Sequence, residues 1–458
     1  MSDTIAAIAT ARGLSAVGVV RISGERTAQV LDALFSPADG SRASALPPRR
    51  MTLGTVRDAD GRAVDHALAV RFAAAHSYTG EECAELHCHG SPVVLSEVVR
   101  AAFAAGARQA EAGEFTRRAF LNGKLDLTEA EAVIDLIEAE TAEAARLAAA
   151  QVDGALRRPV EQVYDALLEL SGRFYAVVDY PDEDLEDLTR EETERTLTAG
   201  MQTLTALLGT FARGRVLKSG AETVIVGAPN AGKSSLFNAL AGYERAIVTE
   251  LPGTTRDTVE ERVIVGGVPL RLIDTAGIRD TDDAVERLGV ERSRHALEQA
   301  DLILALLDAS GTAYTHEQLA PIALAAKSGR PWLLLLTKSD LGGGTCGAAD
   351  VTGRDPEAVI SVSSVTRQGF DALERAVAAL YPEPNAGAAL LTNTRQAEAV
   401  GRALDHLRAA KDALLSGITP DVVLTEIEGA QTALGELTGR TARDDMVARI
   451  FERFCVGK

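Results

Sequence analysis

A glycine-rich loop in the middle of the chain carries the clearest chemical signal. Residues 227–235 read Gly-Ala-Pro-Asn-Ala-Gly-Lys-Ser-Ser and directly follow the apolar run Thr223–Val226. In such a loop the backbone N–H groups close around a β-phosphate, the lysine reaches the β and γ oxygens, and the next serine binds Mg²⁺. The sequence therefore predicts a phosphate loop between a strand and a helix. The predicted contacts are Asn230, Ala231, Gly232, Lys233, Ser234 and Ser235.

Two motifs that respond to a γ-phosphate follow in order. The segment Gly253-Thr-Thr-Arg-Asp contains Thr255, the predicted second Mg²⁺ ligand beside Ser234. The run Leu272–Gly277 reads as a strand ending in Asp-x-x-Gly, where Asp274 holds Mg²⁺ through water and the Gly277 N–H contacts the γ-phosphate. The contacts predicted from these segments are Thr249, Gly253, Thr254, Thr255, Asp274, Thr275, Ala276 and Gly277.

Two later loops are typical of guanine recognition. An apolar run leads into Thr337-Lys-Ser-Asp, and the Asp340 carboxylate is placed to accept hydrogen bonds from the guanine N1–H and N2 amine. The usual motif begins with Asn, which contacts the base and braces the phosphate loop; Thr337 keeps part of that role. The predicted contacts here are Thr337, Lys338, Asp340, Ser361, Val362 and Ser363. Five motifs in this order predict a guanine-nucleotide switch domain.

Hydrolysis needs a cation and an oriented water in addition to Lys233. Ile278 stands where Ras-type switches have the glutamine that orients the attacking water. Asn230 suggests a K⁺ ion that stabilises transition-state charge, the alternative being that it only caps the loop. Glu286 is the best candidate for orienting water, the alternative being a solvated surface carboxylate. The predicted K⁺ ligands are Asn230, Thr249, Leu251 and Thr254.

The remaining sequence predicts a multidomain protein around this switch. Residues 1–118 mix short strand-like runs with a helical stretch at Pro92–Ala105, which is typical of a small α+β domain. Its strand-like runs are Val17–Ile22, Ala67–Phe72 and Cys83–His87. Residues 119–215 are rich in Ala, Leu, Glu and Arg with helical spacing, and Thr128 begins a capping-box-like helix start.

Strand–loop–helix alternation then predicts an α/β domain wound around a parallel sheet at residues 216–384. Helical texture returns in residues 385–458, after the linker that begins at Pro382. The economical interpretation is one discontinuous all-α domain with the nucleotide domain inserted, and two independent helical domains are the alternative. A loop is predicted at residues 180–184.

Composition places the chain in a reducing compartment. Of its 458 residues, four are scattered cysteines, which argues against a disulfide scaffold. His87-Cys88-His89 is a weak metal motif, because adjacent strand residues point to opposite faces. The start lacks a signal peptide and no apolar run is long enough to cross a bilayer, so we expect a cytoplasmic protein. The net charge of −19 is a caution for any RNA role, since phosphate contacts dominate RNA affinity.

Taken together, the motifs resemble the tRNA-uridine modification GTPase family MnmE (TrmE). The resemblance extends to Arg21-Ile-Ser-Gly, Ser77-Tyr-Thr-Gly-Glu, Gly113-Glu-Phe-Thr-Arg-Arg and Lys124-Leu-Asp-Leu in the first part of the chain. The final Phe454-Cys-Val-Gly-Lys resembles the family's terminal signature. Essentially the whole chain is covered.

This resemblance implies an N-terminal domain that binds 5-formyl- or 5,10-methylene-tetrahydrofolate and forms a homodimer. The residues that it assigns to the folate are Arg21, Glu85, Lys124 and Lys458. It also implies K⁺-stimulated hydrolysis when nucleotide domains dimerise, with Glu286 orienting the water network. Arg21 and Lys124 taken singly fit surface cations equally well, so the assignment depends on the set.

The resemblance further implies a heterotetramer with the FAD-dependent protein MnmG (GidA). The two proteins together add an aminomethyl-type group at C5 of the wobble uridine of certain tRNAs, with the one-carbon unit coming from tetrahydrofolate. Cys455 is either a nucleophile in this chemistry or a packing residue on the folate side.

Two other classes of protein share the nucleotide motifs. One is a ribosome-assembly switch of the Era or EngA type, which carries an RNA-binding domain or a second nucleotide domain. The other is a self-assembling GTPase resembling septins or dynamins, which the helical flanks permit. The N-terminal motifs and the final Cys-Val-Gly-Lys favour the modification enzyme over both.

Overall fold

The computed structural model divides the chain into two compact units. The first comprises residues 1–134, 152–201 and 402–458, and the second comprises residues 135–151 and 202–401. The structure describes residues 3–11, 13–179, 189–242, 244–245, 260–273, 297–311, 314–342, 354–382, 388–441, 444–452 and 454–457. The predicted loop at 180–184 and most of the linker after Pro382 lie outside these ranges.

The first unit begins with a seven-stranded sheet in the order β3-β4-β5-β6-β2-β1-β7. Neighbouring strands are antiparallel except for β1 and β7, which run parallel. The strands are β1 (Ile5–Ile8), β2 (Ser15–Ser23), β3 (Phe35–Pro37), β4 (Thr52–Arg57), β5 (Ala63–Phe72), β6 (Cys83–Gly90) and β7 (Arg108–Gln109). The helices α1 (Thr27–Leu34) and α2 (Pro92–Ala104) complete an α+β fold, as the sequence predicted.

Buried and less buried side chains alternate along the strands of this sheet, so one face packs against the core and the other is open. Val20, Ile22 and Leu86 are fully buried and pack against Leu31 and Val98 of the two helices. The odd-numbered residues of β2 and β6 point to the other face, which is why the His87-Cys88-His89 trio is split between the two faces. Among the described residues, no group of three or more His, Cys, Asp or Glu side chains is arranged to hold a metal ion.

Helices form the rest of the first unit and extend into the second. Two of them, α6 (Arg157–Asp179) and α13 (Pro420–Thr438), pack against each other. A small core joins Leu127 and Ala130 to Val447, Phe451 and Phe454. The helices are α3 (Glu114–Leu121), α4 (Leu127–Ile137), α5 (Ala142–Val152), α6 (Arg157–Asp179), α7 (Arg190–Gly209), α8 (Phe211–Ser219), α12 (Thr394–Leu415), α13 (Pro420–Thr438) and α14 (Asp444–Phe451).

Helix α4 begins two residues earlier than a cap at Thr128 would allow. The Asp126 carboxylate accepts hydrogen bonds from the Glu129 N–H and the Thr128 hydroxyl, both at 2.7 Å. The Glu129 carboxylate accepts from the Asp126 N–H at 2.8 Å, which completes a capping box. The prediction that Thr128 caps the helix is therefore wrong. The three-residue spacing to a glutamate occurs for both Asp126 and Thr128, and spacing alone does not choose between them.

The second unit contains a seven-stranded sheet in the order β14-β13-β12-β8-β11-β10-β9. Strands β8, β11, β12, β13 and β14 are parallel, while β10 pairs antiparallel with its neighbours. The strands are β8 (Ala221–Gly227), β9 (Glu244–Arg245), β10 (Glu260–Val265), β11 (Val268–Ile273), β12 (Leu302–Asp308), β13 (Trp332–Thr337) and β14 (Ala358–Ser361). Its helices include α9 (Lys233–Ala241), α10 (His316–Lys327) and α11 (Phe370–Leu380).

The central strands of this sheet are apolar throughout because both faces are covered. Leu302–Leu307 and Trp332–Leu336 are buried at every position, and two separate apolar clusters lie on the two faces. The predicted α/β domain around a parallel sheet is confirmed. None of the helices in the described ranges has both the length and the apolar character needed to span a bilayer.

Candidate functional site

The phosphate loop occupies the turn between β8 and α9. Asn230 and Gly232 adopt left-handed backbone conformations, with φ of 62° and 93°, which curl the loop back towards the strand. The Lys233 ammonium donates to the carbonyls of Gly227 and Ala228 at 2.7 and 2.9 Å. The ammonium therefore lies within the curve of the loop.

Close packing fixes both sides of this turn. A Cβ on Gly227 would lie 2.9 Å from the Leu306 carbonyl oxygen, so only glycine lets the loop leave the sheet this near to β12. Leu236 and Leu240 are buried and anchor α9 on the sheet. The side chains of Asn230, Ser234 and Ser235 stay exposed at the loop and the first turn of α9. A helix start offers unsatisfied N–H groups and a partial positive charge, which suit an anion.

Thr337 connects the phosphate loop to the last residue of β13. Its side chain is buried at 3% exposure, and its hydroxyl donates to the Ala231 carbonyl at 2.7 Å. The Leu307 carbonyl lies 3.3 Å from the same hydroxyl. This threonine therefore braces the loop, although its side chain is shorter than the usual asparagine's.

The next residues form a second loop at the same edge. Lys338 has a φ of 58°, and its ammonium pairs with the Asp308 carboxylate at 2.6 Å. Burial works against ionisation of Asp308, but hydrogen bonds from Lys338 and Ser310 lower its pKa overall. Asp340 is exposed. Sequence reasoning missed Asp308, although its position at the carboxyl end of a parallel strand was a usable signal.

A third loop joins these two. The Ser339 N–H donates to the Val362 carbonyl at 3.3 Å, and Val362 is fully buried. Ser363 is also buried, and its hydroxyl accepts from the Thr366 N–H at 3.1 Å. Ser361 ends β14 beside Leu336 of β13.

Parallel strand register brings the described motifs to one edge. Gly227 pairs with Leu306, and Asp308 pairs with Thr337, so the carboxyl ends of β8, β12 and β13 align. This is the edge at which open parallel sheets bind ligands. The predicted residues Thr249, Leu251, Gly253, Thr254, Thr255, Asp274, Thr275, Ala276, Gly277 and Glu286 lie outside the described residues.

A second candidate site lies on the open face of the first sheet. Arg21 and Glu85 are direct partners across β2 and β6, and the guanidinium Nε donates to the carboxylate at 2.9 Å. Both side chains are only 18% exposed. His87 lies 3.3 Å from the second oxygen of the same carboxylate. The pair is partly desolvated, so the electrostatic attraction between the two charges is stronger than in a surface ion pair.

Two aromatic rings that sequence reasoning missed flank Arg21. The guanidinium lies 5.4 Å from the Tyr78 ring centroid and 5.6 Å from that of Phe115, within the range of cation–π attraction. Tyr78 shares a hydrogen bond of 2.9 Å with the Thr116 hydroxyl. Both rings stand inside motifs quoted above, Ser77-Tyr-Thr-Gly-Glu and Gly113-Glu-Phe-Thr-Arg-Arg, and their aromatic residues were the available signal. Phe115 is fully buried, so the accessible part of this arrangement is Arg21 with the half-buried Tyr78 ring, which suits a flat, polar-edged ring.

Lys124 reaches the loop that carries Tyr78. Its ammonium donates to the Ala75 carbonyl at 2.7 Å, while the side chain itself remains exposed. Asn122 donates to the Thr79 carbonyl at 2.7 Å, so the residues after α3 hold this loop at two points. The structure thus brings Arg21 and Glu85 together and ties Lys124 to the loop beside them.

An ion network centred on the buried Glu114 and Arg118 side chains also holds this loop. Arg118 donates to the carboxylates of Glu81 at 2.9 Å, Asp3 at 2.7 Å and Glu114 at 2.8 Å. Arg108 contacts Glu114 at 2.6 Å and also pairs with Asp3. Burial opposes ionisation of Glu114, but hydrogen bonds from Arg108, the Glu111 N–H and Arg118 outweigh it and lower the pKa of Glu114 to about 2.

The segment 454–457 packs against this part of the first unit. Val456 forms a β-bridge with Ala112, and the Gly113 N–H donates to the Cys455 carbonyl at 3.3 Å. A Cβ on Gly457 would overlap the Ile8 carbonyl oxygen, and its φ of 105° also favours glycine. The Cys455 side chain is exposed, and Lys458 lies outside the described residues.

A phosphate loop at the edge of a parallel sheet, joined to two base-side loops, defines the second unit as a P-loop domain of the GTPase class. The family model described as “GTP-binding protein TrmE N-terminus” matches residues 4–124, and that described as “MnmE helical domain” matches residues 127–455. The chain belongs to the MnmE family.

Full-length relatives agree with this assignment. The tRNA modification GTPase MnmE of Symbiobacterium thermophilum is 43% identical over 468 residues, covering 100% of this chain and 99% of that protein. The MnmE of Heliobacterium modesticaldum is 42% identical over 470 residues, covering 100% of both. Among solved structures, Aquifex aeolicus Era bound to GDP·AlF4⁻ is 22% identical with a TM-score of 0.26, over 43% of this chain and 67% of that one.

Proposed function

We propose that this chain hydrolyses GTP to GDP and phosphate in the course of tRNA modification. The observation that carries the proposal is the convergence of Lys233, Thr337 and the Lys338–Asp308 pair on one edge of the parallel sheet. In the reaction, a water oxygen bonds to the γ-phosphorus while the bond to the β–γ bridging oxygen breaks. The full-length match to MnmE proteins supports the tRNA role over the ribosome-assembly alternative.

The phosphate loop supplies the groups that this reaction needs. We propose that Lys233 leaves the two carbonyls of its own loop to neutralise phosphate oxygens, and that the loop N–H groups hold the β-phosphate. Asp340 selects guanine, and residues 361–363 line the base pocket. The remaining proposed GTP contacts, which lie outside the described residues, are Thr249, Gly253, Thr254, Thr255 and Asp274 to Gly277.

The loop also fits cation binding. The Ser234 hydroxyl is exposed in the first turn of α9, and the Asn230 side chain is exposed on the left-handed turn just before it. We propose Mg²⁺ at Ser234 with Thr255, and K⁺ at Asn230 with Thr249, Leu251 and Thr254. Bound cations supply positive charge against the phosphate oxygens. Glu286 is the proposed water-orienting carboxylate.

Salt identity tests the K⁺ proposal. Hydrolysis by the full chain is expected to be much faster in KCl than in NaCl at equal ionic strength. Asn230→Ala is expected to remove that difference. Asn238→Ala, an exposed asparagine five residues into α9, is the matched control and should keep it. Equal rates in the two salts for the unaltered chain would refute a K⁺ site.

The pair on the open face supports a folate site in the first unit. We propose that Arg21 and Lys124, with Lys458, bind carboxylates of a glutamate-tailed folate, and that Glu85 accepts hydrogen bonds from its pterin ring. The half-buried Tyr78 ring adds a stacking surface beside Arg21, while the fully buried Phe115 ring packs against the Arg21 guanidinium. When bound, 5-formyl- or 5,10-methylene-tetrahydrofolate is the source of a one-carbon unit.

Equilibrium binding of 5-formyl-tetrahydrofolate tests this assignment. Arg21→Ala is expected to weaken binding strongly, because it removes the cation and leaves Glu85 without its 2.9 Å partner. Arg100→Ala, which removes a cation that is 70% exposed on α2, should leave binding unchanged. No detectable binding by the unaltered chain would remove the folate assignment.

The wider arrangement follows from the family. We propose a cytoplasmic homodimer that joins the FAD-dependent MnmG in a heterotetramer and modifies C5 of the wobble uridine of certain tRNAs. We also propose that residues 119–215 and 385–458 form one helical domain around an inserted nucleotide domain at 216–384, which the packing of α6 on α13 supports. The Cys455 thiol is free and exposed, which makes it accessible for a role in the tRNA modification.

Mass spectrometry of tRNA tests the biological role. A strain that lacks this protein is expected to lose the C5 group from its wobble uridines. The loss should be restored by the unaltered chain and not by Lys233→Ala. Normal C5 modification in the deletion strain would contradict the tRNA assignment. It would not contradict the separate proposal that the chain hydrolyses GTP.

A further inference from the structure

The hydroxyl of Thr337 is enclosed by backbone carbonyls. It lies 2.7 Å from the Ala231 oxygen and 3.3 Å from the Leu307 oxygen, in a side chain that is 3% exposed. Carbonyl oxygens only accept hydrogen bonds, so the hydroxyl is the donor in either contact. A threonine hydroxyl has one hydrogen, and here that hydrogen is committed to bracing the phosphate loop.

Guanine presents two kinds of edge to the base-side loops. Its N7 and O6 atoms accept hydrogen bonds, whereas N1–H and the N2 amine donate them. Asp340 is an acceptor and serves only the donor edge. An asparagine at position 337 would have two N–H hydrogens and one oxygen, enough to brace the loop and also donate to N7. Threonine has no hydrogen left for that second contact.

We propose that this chain recognises guanine without a hydrogen bond from residue 337 to N7. The inference rests on the proposed binding of GTP and concerns how the base is chosen. Redirecting the Thr337 hydrogen to N7 would leave the Ala231 carbonyl without this donor in a buried position, which costs more than one new neutral hydrogen bond returns. Base selection therefore rests on Asp340 and the donor edge of guanine.

Nucleotide analogues separate the two edges. In 7-deaza-GDP a C–H group replaces N7, and in IDP the N2 amine is absent. The full chain is expected to bind GDP and 7-deaza-GDP with affinities within about twofold of each other. It is expected to bind IDP roughly tenfold more weakly than GDP, because IDP loses one hydrogen bond to a charged acceptor.

Substitution at position 337 supplies the matched comparison. Thr337→Asn is expected to create a preference for GDP over 7-deaza-GDP of roughly three- to tenfold. Thr337→Ser keeps the single hydroxyl and should show the near-equal affinities of the unaltered chain. The comparison of analogues on the unaltered chain needs no substitution, so it decides the matter even if the asparagine variant folds poorly.

Two results would overturn the inference, and a third would overturn the proposed function on which it rests. A preference of more than about threefold for GDP over 7-deaza-GDP in the unaltered chain would show that N7 is contacted after all. A folded Thr337→Asn variant without any such preference would show that position 337 does not face N7. No binding of GDP at all would instead overturn the proposed function itself.

Discussion

Removing the charge of Glu114 should loosen the first unit more than any surface substitution would. Its side chain is 1% exposed and bonds to Arg108, to Arg118 and to the N–H of Glu111. Glu114→Gln keeps the size and one acceptor oxygen but removes the negative charge between two guanidinium groups. Arg118 then keeps Glu81 and Asp3 as partners, so its positive charge is not left wholly uncompensated.

The size of the effect follows from the pKa of Glu114. That pKa falls from 4.5 to about 2, and each unit corresponds to about 1.4 kcal/mol, so the charged form contributes on the order of 3 kcal/mol. Breaking a buried pair by removing one partner costs about 3–5 kcal/mol in general. Because Arg118 retains two carboxylates, we expect about 3 kcal/mol in the free energy of unfolding of this unit.

The pH dependence gives an independent check of sign. A carboxyl whose pKa is lowered by folding contributes its full stability above 4.5 and loses it as pH falls towards 2. The unaltered chain should therefore lose stability between about pH 5 and pH 2 through this group. Glu114→Gln should lack that part of the acid-induced loss, and the two proteins should converge at the acid end.

Amide hydrogen exchange in β1 and α3 of the full chain measures the loss of stability of the first unit caused by Glu114→Gln. A loss of about 3 kcal/mol corresponds to roughly 100-fold faster exchange where opening is at equilibrium. Glu97→Gln removes an exposed carboxylate that pairs with Arg100 at 2.7 Å, and such pairs are worth at most about 1 kcal/mol. An effect of Glu114→Gln no larger than that control at neutral pH would refute the reasoning.

Two further predictions concern Asp126, at the start of α4, and Gly457, in the segment 454–457. Burial raises the pKa of Asp126 to about 6 against the hydrogen bonds from Glu129 and Thr128, so its contribution is fullest below about pH 4 and is lost as pH rises through 6. Asp126→Asn keeps the capping oxygen and should flatten that dependence, measured as exchange of α4 between about pH 4 and pH 7; an unchanged slope would contradict it. Gly457→Ala should release segment 454–457 and weaken folate binding, whereas Gly172→Ala, which meets nothing within 4 Å, should not.

The position of the proposed nucleotide site, at the carboxyl ends of β8, β12 and β13, could be predicted from sequence because its geometry is local. A glycine-rich loop after an apolar strand determines where Lys233 lies, and parallel strands bring their carboxyl ends together without further information. The same reasoning reached the α+β character of the first unit. It failed at the start of α4, where Asp126 and Thr128 offered equal spacing and only the backbone decided between them.

Contacts between distant parts of the chain could not be predicted in this way. Arg118 bonds to Asp3 across 115 residues, and nothing in the pattern around either residue identifies the other. The rings of Tyr78 and Phe115 meet Arg21 only because three separate motifs fold onto one face of the sheet. Periodicity encodes which side of an element is buried and leaves the partner of each polar side chain undetermined.

The bridge between Ala112 and Val456 also bears on how the protein is made. A ribosome releases the seven strands of the first sheet early, and residues 454–457 leave it only after the second unit has been translated. The backbone at Ile8 and Ala112 therefore stays uncovered until residues 454–457 have been translated. A product of interrupted translation retains the sheet and lacks this closing segment. A chain whose translation stops before these residues therefore leaves the backbone at Ile8 and Ala112 without this cover.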